Sequence, residues 1–301
     1  MSAHKMLLTG KTGFLGEIIS DALTNYEIDG LGVRPNNEIR CDLSSNIPDI
    51  TKKYDLVVHA AAKAHDLSPK RSRNKEFFDV NYNGTINLTK GIEKSGFFPD
   101  QFVFISTVSV YGVDNGEAIG EDFPLNGKSP YAKSKILAEQ WIQNWSNKHK
   151  VNLIILRLPL VVGRDAPGNL RALINGIKTG RYFSIGRADA HKSMVWAEDI
   201  AKLIPELLNK NGVFNLTDGD HPTIGQIEDI VSAAFNKRKP IKVSLKVAKV
   251  IGSIGDLIPG FPFNSDKLLK LNSNLTFDDK KARELLNWKP SKVIDNLSEI
   301  L

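Results

Sequence analysis

Tyr131 and Lys135 stand four residues apart, a spacing that puts both side chains on one face of a helix. A free phenol, with a pKa of about 10, is a poor base near neutrality, so a tyrosine that moves protons needs a nearby cation to favour its phenolate. Lys135 supplies that charge. Upstream, the apolar run Phe102–Ile105 delivers Ser106, Thr107 and Ser109 at its C-terminal end. Thr107 could hydrogen-bond a substrate oxygen while Tyr131 moves the proton, and Ser106 and Ser109 offer the same chemistry beside it. A third group, Leu7-Leu8-Thr9-Gly10-Lys11-Thr12-Gly13-Phe14-Leu15-Gly16, runs an apolar strand into three glycines at three-residue spacing and then into a helix. Gly10 permits the tight turn, Gly13 lets backbone amides approach a pyrophosphate, and Gly16 lets the helix lie close on the strand. Its helix N-terminus offers free N–H groups to the anion, so the pattern is that of a dinucleotide clamp.

These groups need elements to carry them. Short apolar strands are predicted at Lys5–Thr9, Asp29–Val33, Leu56–His59, Gln101–Ser106 and Asn152–Leu156, with helices at Phe14–Asn25, Glu76–Ser95 and Pro130–Lys148. Ser129 is the natural cap of the last helix, with proline tolerated in its first turn. Strict alternation of strand and helix implies a parallel sheet covered on both faces, an α/β doubly wound Rossmann-type sheet spanning 1–160. Open α/β sheets place ligands at the C-terminal ends of their strands, where the glycine loop and Thr107 both fall. Beyond Val161, Pro, Gly and charged residues cut the chain into shorter elements, read as a smaller substrate-binding lobe over 161–301. The apolar strand Val213–Leu216 is expected to return to the main sheet, so the two parts interleave.

Composition narrows the class. The most apolar run, Leu153–Val162, carries Arg157 and is too short to span a bilayer, and Met1–Lys5 leads into the first strand with no apolar signal segment, so a cytoplasmic chain is expected. Cys41 is the single cysteine, which excludes an intrachain disulfide and a multi-cysteine metal site and reads as a packing residue. No metal site is expected. The net charge of +6 falls entirely within residues 236–301, where 13 Lys/Arg face 7 Asp/Glu. No zinc spacing, helix-turn-helix signal or stacking-aromatic motif points to nucleic acid. The segment Lys242–Ile258, with lysines three to four apart and apolar residues between, reads either as a basic amphipathic helix on an anionic membrane or as a helix packed on the lobe. No stable insertion is expected.

Further motifs lie in order along the chain: Asp42-Leu43, His59-Ala60-Ala61-Ala62, Asn81-Tyr82-Asn83-Gly84-Thr85-Ile86-Asn87-Leu88, and Arg157-Leu158-Pro159-Leu160-Val161-Val162-Gly163. With the glycine loop, the Ser106–Gly112 run and the Tyr131/Lys135 pair, they resemble the extended short-chain dehydrogenase/reductase family, the nucleotide-sugar epimerases, dehydratases and reductases. The resemblance covers nearly the full chain. It implies a bound nicotinamide dinucleotide held by Gly10, Thr12, Gly13, Phe14, Leu15 and Gly16, with Asp42 and Leu43 beside adenine. It also implies Ala60, Ala61 and Ala62 along the cofactor channel, Asn81, Ser106 and Leu158 on its walls, and Lys135 on the nicotinamide ribose. Thr107 is then the hydroxyl partner, Tyr131 the acid/base and Lys135 its tuner, while hydride passes between nicotinamide and a sugar carbon.

The second strand ends Gly32-Val33-Arg34-Pro35, and a basic residue there can accept the 2′-phosphate of NADP, whereas Asp29 would favour NAD if the strand boundary shifted. NADP is slightly favoured over NAD. By resemblance, the UDP-galactose-type 4-epimerases carry Asn where this chain has Leu160. The runs Pro167-Gly168-Asn169, Phe183-Ser184-Ile185-Gly186 and Lys192-Ser193 are similar to UDP-sugar 4-epimerases or 4-keto-6-deoxy-sugar 4-reductases of surface-polysaccharide synthesis. Substrate contacts implied are Thr107, Ser109 and Tyr131, with Asn169 at the diphosphate or ribose, Phe183 bordering uracil, and Lys192 in place of a diphosphate-binding arginine. Equally, Asn169 could cap a helix from Leu170, Phe183 could be core and Lys192 a solvated charge. The dehydratase branch is disfavoured because Val108 and Ser109, rather than an Asp-Glu pair, follow Thr107. A small-molecule ketoreductase and a non-catalytic dinucleotide-binding regulator are the alternatives. By resemblance, a homodimer would pair Glu76–Ser95 and Pro130–Lys148 into a four-helix interface.

Overall fold

The computed structural model describes residues 4–64, 74–258, 261 and 263–301. Met1–Ala3, ahead of the first strand, lie outside them. The chain opens with β1 (His4–Thr9), α1 (Phe14–Ala22), β2 (Tyr26–Gly32), β3 (Ile39–Arg40) and β4 (Leu56–His59). Then come α2 (Asn74–Phe77), a π-helical turn at Phe78–Asn83, α3 (Gly84–Ser95), β5 (Gln101–Thr107), β6 (Gly116–Ile119), α4 (Pro130–His149) and β7 (Asn152–Leu158). The later part holds β8 (Leu160–Val162), α5 (Asn169–Lys178), β9 (Phe183–Ile185), β10 (Met194–Trp196), α6 (Ala197–Leu203), β11 (Gly212–Asn215) and α7 (Ile224–Ala234). It closes with β12 (Ile241–Val243), α8 (Leu245–Leu257), α9 (Ser265–Asn272), β13 (Leu275–Phe277), α10 (Lys280–Leu286) and α11 (Val293–Asn296).

Seven strands form one parallel sheet in the order β11-β7-β5-β4-β1-β2-β3. The chain winds outward from β1 to β3, then returns to β4 on the other side of β1, so the order reverses between β1 and β4, where such sheets bind ligands. Alternate residues feed two cores. Met6, Leu8, Val58, Val103, Ile154 and Leu156 face one side, and Leu7, Val57, Phe102, Phe104, Leu153 and Ile155 face the other, under α3 and α4. Cys41 packs against the second core.

The strand near Val213 does join the main sheet, pairing with β7 through Val213 opposite Ile155. Ile200, Ala201 and Leu203 of α6 and Ala282 and Leu286 of α10 also pack into the core with Ile19 of α1. Segments from beyond Val161 therefore complete one face of the sheet. Three two-stranded parallel sheets, β8 with β10, β9 with β12 and β6 with β13, order the remainder.

Two expected boundaries shift for physical reasons. β2 begins at Tyr26 and ends at Gly32, which leaves Asp29 in mid-strand, where it accepts from the Tyr54 hydroxyl at 2.6 Å and pairs with Lys52. The helix expected over Glu76–Ser95 is interrupted by the π turn, inside which Asn81 bonds outward to other segments.

Candidate active site

The glycine loop turns sharply after β1, with Gly10 at φ +74°. A side chain there would meet the Ala61 amide nitrogen at 2.8 Å, and one at Gly16 would lie 2.0 Å from the Gly10 carbonyl oxygen. Loop, helix α1 and the Ala60–Ala62 segment thus approach to backbone distance at the switch point. His59 fixes this approach: Thr9 Oγ1 and His59 Nδ1 are 2.6 Å apart, His59 Nε2 and Thr85 Oγ1 are 3.0 Å apart, and the Ala61 amide donates to Thr9 Oγ1 at 3.1 Å. Burial, aided by the positive charge of Lys135, lowers the His59 pKa to about 3, so the ring is a neutral strut.

α1 starts at Phe14 with Gly13 as N-cap and no side-chain cap, leaving its first-turn amides directed at the loop. Beside it, Thr12, Phe14, Arg34 and Arg164 line a cavity of about 380 Å³, whose wall Glu17, Ile18, Asp21 and Asp165 complete. Uncapped amides and a cradle in which a Cβ has no room fit the pyrophosphate of a dinucleotide, and Arg34 and Arg164 stand in the cavity beside it with the Glu17, Asp21 and Asp165 carboxylates. Asp29, already engaged by Tyr54 and Lys52, is withdrawn from this end of the strand. Lys11 reaches Glu38 at 2.9 Å and the Ile28 carbonyl. Asp42 accepts from the Ser44 amide and hydroxyl, and the Leu43 carbonyl accepts from Asn87.

Across the sheet edge, Ser129 caps α4 by accepting from the Ala132 amide at 3.1 Å, which sets Tyr131 in the first turn. Thr107, the last residue of β5, accepts from the Ser109 amide at 3.2 Å, donates to the Ser109 hydroxyl at 3.2 Å and lies close enough to the Tyr131 phenol to act on its pKa. Burial pushes the phenol pKa up and the Thr107 side chain pulls against it. Lys135, 2% exposed, donates to the Ile105 carbonyl at 2.6 Å and lies 4.0 Å from the centre of the Phe104 ring. Burial lowers its pKa to about 7, with the charge of Glu139 opposing. Its ammonium is thus directed at the strand, and the phenol owes its upward shift to burial, which Thr107 only partly offsets.

A family model described as the NAD dependent epimerase/dehydratase family matches residues 6–217, most of the chain. The chain belongs to that family. A UDP-glucose 4-epimerase of Vibrio cholerae is 26% identical over 314 residues, covering 96% of this chain and 92% of the relative. An N-acetyl-alpha-D-glucosaminyl-diphospho-ditrans,octacis-undecaprenol 4-epimerase of Escherichia coli O157:H7 is 28% identical over 270 residues, covering 83% and 77%. The solved UDP-glucose 4-epimerase of Thermotoga maritima with UDP-glucose superposes with a TM-score of 0.75 at 18% identity, covering 98% of each chain, a likeness of fold.

In this NAD-dependent epimerase/dehydratase the sequence-predicted residues divide into two sets. The structure brings together Gly10–Gly16 with Ala60 and Ala61, and Thr107 with Tyr131 and Ser109. The side chains of Asn81, Ser106 and Leu158 are engaged by protein. Asn81 joins Lys63 to Ser134, the Ser106 hydroxyl is spent on Glu139, and Leu158 lies in the core. Capping by Asn169 is excluded, because Gly168 is the N-cap of α5 and Asn169 stands exposed in the first turn. Phe183 is no core residue, being 55% exposed. Lys192 is not a solvated charge, since its ammonium donates to the Lys270 and Ser273 carbonyls at the end of α9.

Sequence reasoning missed the support beneath the site. Glu139, one turn beyond Lys135, accepts from Ser106 and from Arg157 Nη2 at 2.7 Å, all buried. Arg157 Nη1 donates to the Tyr111 hydroxyl at 3.1 Å, and Tyr111 donates to Asn215 at 2.7 Å. The repeat Tyr131, Lys135, Glu139 at four-residue spacing was the available signal, a stripe whose third member is a carboxylate.

Proposed function

We propose that this chain is an NAD(P)-dependent enzyme that acts by hydride transfer at C4 of a UDP-hexose, as a 4-epimerase or a 4-keto-6-deoxy-sugar 4-reductase, in making surface-polysaccharide precursors. The observation that carries the reading is that Thr107, at the end of β5, stands beside Tyr131, itself one helical turn from buried Lys135, on a parallel sheet whose β1 runs into the glycine cradle. Gly10, Gly13 and the first turn of α1 would hold the pyrophosphate, with Thr12, Phe14 and Leu15 around it. Asp42, Leu43 and Ala60–Ala62 would flank the rest of the cofactor. A nicotinamide bound there supplies reversible hydride exchange with the sugar carbon. Tyr131 takes the proton of the sugar hydroxyl in the oxidising direction and returns it to the carbonyl oxygen in the reducing one. Thr107 and Ser109 orient that oxygen. Lys135, whose pKa burial brings to about 7, would favour the phenolate in its protonated form if its charge turned from the Ile105 carbonyl toward the phenol.

NADP is the favoured cofactor, because Arg34 lines the cavity beside the glycine loop while Asp29 is engaged elsewhere. Phe183, exposed on β9, offers a flat apolar face to uracil, and Asn169 offers its amide to the diphosphate or ribose. The Lys192 ammonium, already satisfied by two carbonyls, favours as second reading a ketoreductase with looser demands on the diphosphate. Two copies pairing through α3 and α4 complete the proposal, and the mass in solution tests it.

The deciding experiment offers purified protein UDP-hexoses and UDP-4-keto-6-deoxy sugars. Epimerisation without net cofactor use means a 4-epimerase, stoichiometric oxidation of NADPH or NADH means a reductase, and no turnover of any nucleotide sugar overturns both. Tyr131→Phe is expected to lower turnover by about 10² to 10⁴-fold while sparing cofactor binding. Unchanged turnover would remove Tyr131 from its role.

A further inference from the structure

Helix α8 turns its small residues inward and its large apolar residues outward. The buried face consists of Ala248, Gly252 and Gly255. A Cβ on Gly255 would meet the Phe263 carbonyl oxygen at 1.9 Å and one on Gly252 the Ser265 amide nitrogen at 3.3 Å, so the helix lies backbone-close on the segment that enters α9. Val247, Val250, Ile254 and Leu257, at three- and four-residue spacing, form an outward stripe that is 52%, 61%, 48% and 82% exposed. Ile251 and Ile258 widen it. A contiguous exposed apolar face of this kind marks a contact surface.

Charge indicates what the surface meets. Residues 236–274 contain eight Lys/Arg and two Asp, so this one segment accounts for the whole net charge of +6. Lys242, Lys246 and Lys249 are exposed along β12 and α8. A second copy of the chain would set two such faces together, like charge against like, whereas an anionic surface neutralises them. We infer that α8 docks the protein on an anionic lipid bilayer. The apolar stripe sinks to the boundary of headgroup and acyl chain, and the lysines lie on lipid phosphates. No helix among the described residues is long and apolar enough to cross a membrane, so the association is peripheral. β12 leads into α8 and pairs with β9, which opens with Phe183, so docking brings that side of the later half of the chain to the bilayer.

The test is flotation of the full chain with vesicles of phosphatidylcholine alone and of phosphatidylcholine mixed with phosphatidylglycerol. The wild-type protein should float with the mixed vesicles only, and added salt should release it. Lys246→Gln with Lys249→Gln should weaken partitioning by about 25-fold, from roughly five-fold per lysine. Val250→Asp with Leu257→Asp should abolish it, with melting temperatures unchanged because all four side chains are exposed. Absence of flotation at low salt, equal flotation with neutral vesicles, or variants that float like wild type would each overturn the proposal. So would self-association that is lost in Val250→Asp/Leu257→Asp without any vesicle binding, which would assign the face to a second copy.

Discussion

His59 uses both ring nitrogens, one toward Thr9 and one toward Thr85, in a site with almost no exposure. Its folded pKa of about 3 lies below the ordinary 6.5, so as pH falls below 6.5 the unfolded chain takes a proton that the native ring refuses. Native stability is therefore untouched above about pH 7 and lost at about 1.4 kcal/mol per pH unit below about 6.5. Denaturant titrations at pH 7.5, 6 and 5 should show this slope in the wild-type protein and a flatter one in His59→Gln; equal slopes would remove the ring from the account. Arg34 is a residue-scale test of a different kind. If NADP is the cofactor, Arg34→Ser should weaken NADPH binding by about tenfold or more while leaving NADH binding nearly unchanged, because only the 2′-phosphate would use the guanidinium. Equal losses for both cofactors, read by titration calorimetry, would count against NADP.

The glycine loop and α1 form one element whose spacing leaves no room for a methyl group. Gly16→Ala places a Cβ at 2.0 Å from the Gly10 carbonyl oxygen, a contact that only movement of helix or loop can relieve. We expect a loss of about 3 kcal/mol or more in chemical denaturation, with cofactor binding lost in parallel. Wild-type stability in that variant would mean the helix is free to slide. This element was readable because its constraints are local, set by three glycines within one strand–turn–helix. The π turn at Phe78–Asn83 was not readable. Its cause is a side chain, Asn81, satisfying the Lys63 backbone and the Ser134 hydroxyl, partners that lie far from it in sequence. The α4 register was legible through Ser129 and Pro130, while the direction of Lys135 along that helix depended on the Ile105 carbonyl of a different strand.

Across the whole molecule, the buried Glu139–Arg157 pair ties α4 to β7, and Tyr111 and Asn215 extend it to β11, to β6 through the Ile119 carbonyl and to the C-terminal segment through the Asp278 carbonyl. Arg157→Leu leaves the Glu139 carboxylate buried without its partner and should cost about 3–5 kcal/mol in urea unfolding, whereas Glu139→Leu/Arg157→Leu should recover much of that loss. A double variant no more stable than the single one would show that the pair does more than compensate its own charges. What the sequence by itself determined is the glycine turn between β1 and α1, the Thr107 hydroxyl at a strand end, the placement of Tyr131 and Lys135 on one helix and the parallel sheet beneath them. Each follows from spacing within one strand, turn or helix, where backbone geometry alone decides which side chains are neighbours. Only the tertiary structure decided that Ser106 bonds to Glu139 and Asn81 to Lys63 and Ser134, that the Lys192 ammonium ends on the Lys270 and Ser273 carbonyls, and that α8 shows its valines and leucine outward. Those outcomes depend on which distant segments compete for the same hydrogen bond or the same buried area, and a linear spacing carries no record of that competition.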